Sequence, residues 1–231
     1  MVSKVILVLG AGPNIGISLV KHFAAKGYKT AGVSRTPTAE LKGAADLALS
    51  ADFSKPETIK PVFDEVKAKI GIPNVVVFNA AASAMNPDPF SISIEDFTKD
   101  VNINTISVFS ALQQAIQGFK ALPKDTPKTF IYTGNCLLHV AMPVLMDGGL
   151  GKRAGGFMVE NAVLVHGGSG FRFYIADERK ENGAPMYSEI NGQSHADFYF
   201  ELAENEKQGP WDATFVGGKY VDFEGKVGAR A

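Results

Sequence analysis

The chain is poor in several features that mark whole classes of function. It has one cysteine, Cys136, among 231 residues, which excludes an internal disulfide and a multi-cysteine metal site and suits a reducing compartment. Neither sign of charge is in excess, because 23 Lys and Arg stand against 24 Asp and Glu and are scattered along the chain. The electrostatic footprint of a nucleic-acid binder or a polybasic membrane patch is therefore missing, and the expected partner is a small-molecule substrate. No run reaches about 18 apolar residues, the length a membrane span needs. Strand-like sequence begins at Lys4 with no charged n-region, apolar h-region and cleavage site ahead of it, so the chain is expected to be soluble and cytoplasmic, with no membrane partner. No composition shift marks a linker, and no internal repeat is visible. With 45% hydrophobic residues the chain can bury a sizeable core, and its length predicts one large domain over residues 1–231.

What is present is an alternation of strands and helices, the pattern of a doubly wound parallel sheet with helices on both faces in a single α/β domain. Strands are predicted near 4–9, 29–34, 46–50, 74–78, 128–133, 171–176 and 213–216. A helix is expected from about Ile15 to Lys26, with Ile15, Leu19 and Phe23 facing the sheet and Gly27 ending it. A second lies near 56–70. The longest follows the capping hydroxyl of Ser93 and carries Val101, Ile106, Phe109, Leu112, Ile116 and Phe119 before Pro123 stops it. At about 25 residues and apolar on more than one face, that helix is either sandwiched in the protein or partly buried in a subunit contact. The stretch 87–89, the glycine-rich run 148–156 and the polar stretch 177–195 are predicted as loops or loop edges.

The most informative segment is Val5-Ile-Leu-Val-Leu-Gly10-Ala-Gly12-Pro13-Asn14-Ile15-Gly16, an apolar strand running into a glycine-rich turn that opens an amphipathic helix. Glycines permit the tight turn and close backbone approach to a pyrophosphate, and the helix offers unpaired N–H groups and the positive end of its dipole. Ile15 stands where a strict Gly-x-Gly-x-x-Gly needs glycine, so the spacing is Gly-x-Gly-x-x-x-Gly, which points to a different branch of dinucleotide binders. At the end of the second strand, Ser34 and Arg35 stand where an NAD site usually presents an acid to the ribose 2′-hydroxyl. A guanidinium suits a 2′-phosphate, so NADP (NADPH) is expected over NAD; the alternative is a solvated surface arginine.

These motifs resemble the short-chain dehydrogenase/reductase family, from Val5 to about Val221. The family's Thr-Gly-x-x-x-Gly-x-Gly turn is here Leu9-Gly10-Ala-Gly12-Pro13-Asn14-Ile15-Gly16. Asn14 replaces the middle glycine; asparagine is the best non-glycine residue where φ is positive. Ala51-Asp52-Phe53 resembles the family's acidic residue at the adenine ring, and Phe78-Asn79-Ala80-Ala81 its Asn-Asn-Ala-Gly turn after the fourth strand. The resemblance implies a Rossmann-type fold, a nicotinamide cofactor, and homodimers or homotetramers formed through the long helix 94–121 and the helix carrying Lys152.

The chemical end departs from that family. Members generally reduce a carbonyl with a Ser, a Tyr four residues before a Lys, and a helix Asn. Asn102, in Asp-Val-Asn-Ile-Asn, matches the helix asparagine, and Lys152 matches the lysine, which contacts the nicotinamide ribose in the family. The serine position falls on Asn135 and the tyrosine position on Gly148. The family's Pro-Gly after the sixth strand is also missing from Phe173-Tyr-Ile-Ala176-Asp-Glu-Arg-Lys180. Asn135 can hydrogen-bond a substrate carbonyl but cannot supply a proton. His139, four residues on, is a candidate acid or a loop-packing histidine. Asp147, five residues before Lys152, is turned off the lysine's face. Two functions are therefore carried forward: a divergent NADP-dependent oxidoreductase acting on a small or medium carbonyl or alcohol, or a catalytically degenerate dinucleotide-binding protein.

Overall fold

The structure is a computed structural model that describes residues 3–223. Its centre is a sheet of strands β1 (Val5–Leu9), β2 (Lys29–Ser34), β3 (Leu47–Ser50), β4 (Val75–Phe78), β5 (Lys128–Thr133), β6 (Phe171–Glu178), β7 (Asp212–Val216) and β8 (Lys219–Tyr220). The order is β3-β2-β1-β4-β5-β6-β7-β8, parallel except for β8. Strands β1, β4 and β5 are buried along their whole length, and β1 and β4 are the near-continuous apolar runs expected of strands covered on both faces. Alternation along β1 sends Val5, Leu7 and Leu9 into one core layer and Ile6 and Val8 into the other. Helices α3 (Ile59–Lys69), α5 (Ser107–Ala121) and α6 (Met146–His166) pack on the first face, and α1 (Ile15–Ala25), α2 (Ala39–Ala44) and α7 (Gly192–Glu204) on the second. Leu19 and Phe23 of α1 are fully buried and Ile15 partly so.

The long helix after Ser93 is continuous but carries a π-turn in its middle. Its first part, α4 (Ile94–Val101), is capped by Ser93 and passes through a π-turn at Asn102–Ile106 before α5 begins. Helix α2 and strand β8 have no counterpart among the sequence expectations; both are short, and short elements leave little periodicity to detect. Asn14 has φ −101°, so the turn does not use its tolerance of positive φ. Asp177 and Glu178, expected in a loop, lie on β6.

The clearest correction concerns 148–156, which is helical, inside α6. Five glycines in that span disfavour a helix on propensity alone. Packing overrides it. A Cβ on Gly151 would lie 2.3 Å from Asn104 Cβ, and one on Gly155 would lie 2.2 Å from Tyr132 Cε1. The glycines let α6 press against the π-turn and the sheet where any side chain would clash.

Gly155→Ala is therefore expected to destabilise the protein by about 1–3 kcal/mol in urea unfolding followed by circular dichroism. Gly43→Ala in α2, whose Cβ would meet no atom within 4 Å, is expected to be neutral or stabilising by up to about 1 kcal/mol.

Candidate active site

The sheet reverses its order between β1 and β4, and the crevice beyond the carboxyl ends of those strands is where open α/β sheets place ligands. The Gly10 and Ala11 N–H groups both donate to Val33 O, at 2.9 and 2.8 Å. Gly10 has φ +100°, and a Cβ there would lie 2.4 Å from Ala80 N, so the turn closes only with glycine. Asn79 locks the far side, donating its side-chain Nδ2 to Gly10 O at 2.8 Å and accepting from Thr133 Oγ1 at 2.9 Å. Gly16 presses the first turn of α1 onto Ala11, leaving no room for a Cβ. Around this turn lies a groove of about 340 Å³ that takes in Gly10, Gly12, Ser34, Arg35, Asp52 and Asn79. Phe53, Ala80 and Ala81 complete its wall.

That groove fits the ADP half of a dinucleotide. A Cβ on Gly12 would meet no protein atom within 4 Å, so the bare backbone faces open space beside α1, as a phosphate cradle requires. The Arg35 side chain is exposed at the rim, its backbone carbonyl anchored by Ser50 Oγ at 2.7 Å. Asp52 accepts from Ser54 N at 3.0 Å, and this bond holds its carboxyl below the usual range. Pro13 and Asn14 are exposed and lie off the groove. Asn14 instead donates to Ile190 O at 2.9 Å, tying the glycine turn to the segment before α7, while Ile15 faces a second cavity.

The second cavity, about 210 Å³, lies at the ends of β5 and β6 and includes Thr133, Asn135, Leu137, Asp177, Glu178 and His195. Asn135 Oδ1 accepts from Leu137 N at 3.0 Å, which leaves its Nδ2 as the donor for a ligand. Lys152 is buried, donates Nζ to Thr133 O at 2.7 Å and stands 4.0 Å from the centre of the Tyr132 ring. Burial draws its pKa down to about 7. A larger apolar pocket of about 700 Å³, walled by Pro87, Phe90, Val140, Pro143 and Leu150, adjoins this cavity through Leu137, Met142 and Leu145. The segment 83–92 thus contributes to a substrate-sized space.

Two candidates from the sequence stand elsewhere. Asn102 donates its side chain to Ser54 O at 3.0 Å, toward the adenosine groove. Asn104 takes the inner position: it donates to Ala82 O at 2.6 Å, accepts from Ala82 N at 3.0 Å, and its own carbonyl receives the Tyr132 hydroxyl at 3.2 Å. The π-turn advances the helix face, so the second asparagine of Asn-Ile-Asn points inward. His139 pairs through Nε2 with Asp212 Oδ2 at 2.7 Å and lies outside both cavities.

At Gly148 a Cβ would lie 3.5 Å from Ser83 Cβ and 3.7 Å from Leu137 Cδ1. Beside it, Asp147 is fully buried and accepts from Ser83 Oγ at 2.6 Å, Ala84 N at 2.7 Å and its neighbour Gly148 N at 2.8 Å. Burial opposes its charge, but these donors and Asp100 hold its carboxyl low. Asp100 is the counterpart: burial first, then the hydrogen bond and charge of Asp147, push it up to about 6. Only Asp147 of this group was visible as a candidate in the sequence, since α4 and α6 are brought together by folding.

A carboxyl whose pKa rises on folding weakens the native state as pH climbs from the unfolded value near 4 through the folded one. Asp100→Asn is expected to raise Tm by about 2–4 °C at pH 7.5, with the gain shrinking toward pH 4, in thermal melts across that range.

The model of the short chain dehydrogenase family matches residues 4–125. A short chain dehydrogenase/reductase, dmxR12, of Cryptosporiopsis sp. (strain 8999) is 37% identical over 237 residues, covering 96% of each chain. The 3-oxoacyl-[acyl-carrier-protein] reductase of Mus musculus is 30% identical over 156 residues, 65% of this chain and 61% of that protein. Among solved structures, a metagenomic short-chain oxidoreductase in complex with NADP superposes with a TM-score of 0.80 at 14% identity, covering 92% of this chain and 96% of that one. The NADH-dependent reductase A1-R′ complexed with NAD does so with 0.77 at 21% identity, covering 87% and 88%. The chain belongs to the short-chain dehydrogenase/reductase family, a family of oxidoreductases.

Proposed function

We propose that this chain is an NADP-dependent oxidoreductase that interconverts a small or medium carbonyl compound and its alcohol. The observation that carries the cofactor choice is the exposed Arg35 beside Ser34 on the rim of the adenosine groove, where a guanidinium can pair with a 2′-phosphate and the end of β2 presents no carboxylate to a 2′-hydroxyl. When bound, the nicotinamide gives or takes a hydride. The chain's own part is positioning. Asn135 turns its Nδ2 to the substrate oxygen, Asn104 and Asn79 hold the loops that frame the cofactor, and Lys152 stands below Thr133 at the ribose side. With Asn135 and Gly148 in place of the family's Ser and Tyr, and His139 held by Asp212, the proton comes from water. Without a positioned acid the rate falls by about 10²–10⁴ relative to a complete site. The unpaired, buried Cys136 suits a cytosolic setting.

The protein is further proposed to act as a homodimer or homotetramer. Ile106 and Phe109 on or beside α5 and Phe157 and Leu164 on α6 are 44%, 48%, 68% and 78% exposed, a concentration of apolar surface that association would cover.

Calorimetric titration is expected to give tighter binding of NADPH than of NADH, and Arg35→Ala to weaken NADPH by about 10-fold or more with little effect on NADH; tighter NADH binding by the wild type would reject the preference. NADPH oxidation with a carbonyl panel is expected to be slow but substrate-dependent. Tight binding with no turnover of any carbonyl would favour the degenerate dinucleotide binder instead. Light scattering is expected to show a dimer or tetramer at micromolar concentration, and Phe109→Glu with Phe157→Glu to shift it to monomer.

A further inference from the structure

The cavity at the ends of β5 and β6 has an acidic wall. Asp177 and Glu178 are consecutive residues at the carboxyl end of β6, each only 5% exposed, and both border the space shared with Thr133, Gly134 and Asn135. They stand where the sequence departs from the family's Pro-Gly. Consecutive strand residues point to opposite faces, so the two carboxyl groups enter the cavity region from the α6 side and the α7 side.

Their compensation is incomplete. Asp177 Oδ2 accepts from Arg179 Nε at 2.6 Å, and Arg179 is a full cation. Asp212, which also acts on Asp177, adds a further negative charge and is itself paired with His139. Lys152, on the α6 side, is drawn down to about 7 by burial and is committed to Thr133 O. Glu178 Oε2 accepts from Asn191 N at 2.9 Å. His195 lies 3.3 Å from that oxygen, but its Nδ1 is shared with Asn191 O and burial lowers its pKa, so at neutral pH it brings no cation. Burial first, with Asp212 adding to it, pushes Asp177 up to about 6 against the pull of Arg179.

A nicotinamide ring changes charge during turnover. The reduced dihydropyridine is neutral. When its hydride leaves with two electrons for a carbonyl carbon, and the carbonyl oxygen takes a proton from water, a pyridinium cation remains. In a poorly solvated cavity a nearby carboxylate interacts with that cation far more strongly than it would in water. We propose that Asp177 and Glu178 make this site bind the oxidised nicotinamide cofactor in preference to the reduced one, so that the bound couple is a stronger hydride donor than the free couple and the enzyme is biased toward carbonyl reduction. The inference rests on the cofactor reading above. Its thermodynamic content is linkage: tighter holding of the oxidised form lowers the potential of the bound pair in proportion to the ratio of the two affinities.

The test is the ratio of dissociation constants for NADPH and NADP⁺, each titrated alone into the full chain, with no substrate and no turnover. The wild type is expected to favour NADP⁺. Asp177→Asn with Glu178→Gln keeps shape and hydrogen-bond acceptors while removing charge, and is expected to shift the ratio toward NADPH by about 10-fold, almost wholly through weaker NADP⁺ binding. Asp177→Glu, which keeps the charge, is expected to retain the wild-type preference. A ratio unchanged in the double variant, or lost equally in Asp177→Glu, overturns the inference while leaving cofactor binding intact. Binding of neither form by the wild type overturns the cofactor reading itself and the inference with it.

Discussion

The reversal of strand order between β1 and β4 is the constraint on which the rest depends. Two parallel strands that are neighbours in the sheet but send their helices to opposite faces leave a crevice beyond their carboxyl ends. That crevice must stay narrow to hold the chain together and open to admit a ligand. Gly10 meets both demands: its backbone stands so close to Ala80 that a methyl group would overlap it, and its φ lies where only glycine is at ease. Asn79 then bridges Gly10 and Thr133, so the ends of β1, β4 and β5 become one hydrogen-bonded unit.

A second close approach builds the other half. Helix α6 reaches the sheet through glycines at 151 and 155, against Asn104 and Tyr132. This brings Lys152 under the end of β5 and Asp147 against Ser83 and Asp100, residues far apart in the chain. The outcome is a concentration of buried ionisable groups at the carboxyl end of the sheet, while a second set, Lys128 and Arg172, is buried at the amino ends of β5 and β6. Burying charge is costly unless each group finds partners, and most do: Asp147 has three donors and Asp177 has Arg179. Even so, burial moves the pKa values of Asp100, Lys152 and Asp177 toward neutrality, a pattern common at functional sites.

Much of the fold was legible in the chain. All seven predicted strands occur; β1 and β4 are the plainest, because strands buried on both sides read as unbroken apolar runs that need no context. Helix α1 was equally clear, since Leu19 and Phe23 repeat at the spacing of one face. The groove residues of the glycine turn, the end of β2 and the turn after β4 were legible as short local motifs, although Asn79 acts through its side chain on Gly10 and Thr133, far away in the chain. Reading failed where the decisive partner is distant. The glycines of 148–156 look like a loop unless Asn104 and Tyr132 are known to press on them. The π-turn that carries Asn102 and Asn104 likewise has no signature in residue order.

The sequence by itself therefore determined the doubly wound sheet, its family and the glycine-rich turn after β1, since these rest on periodicity and on backbone freedom that individual residues carry with them. Tertiary structure alone decided that Asn104 is held on the Ala82 backbone while Asn102 reaches Ser54, that His139 is held by Asp212, and that Asp177 and Glu178 line the inner cavity. Those outcomes depend on desolvation and on distances between strands and helices, quantities that exist only once the chain has packed.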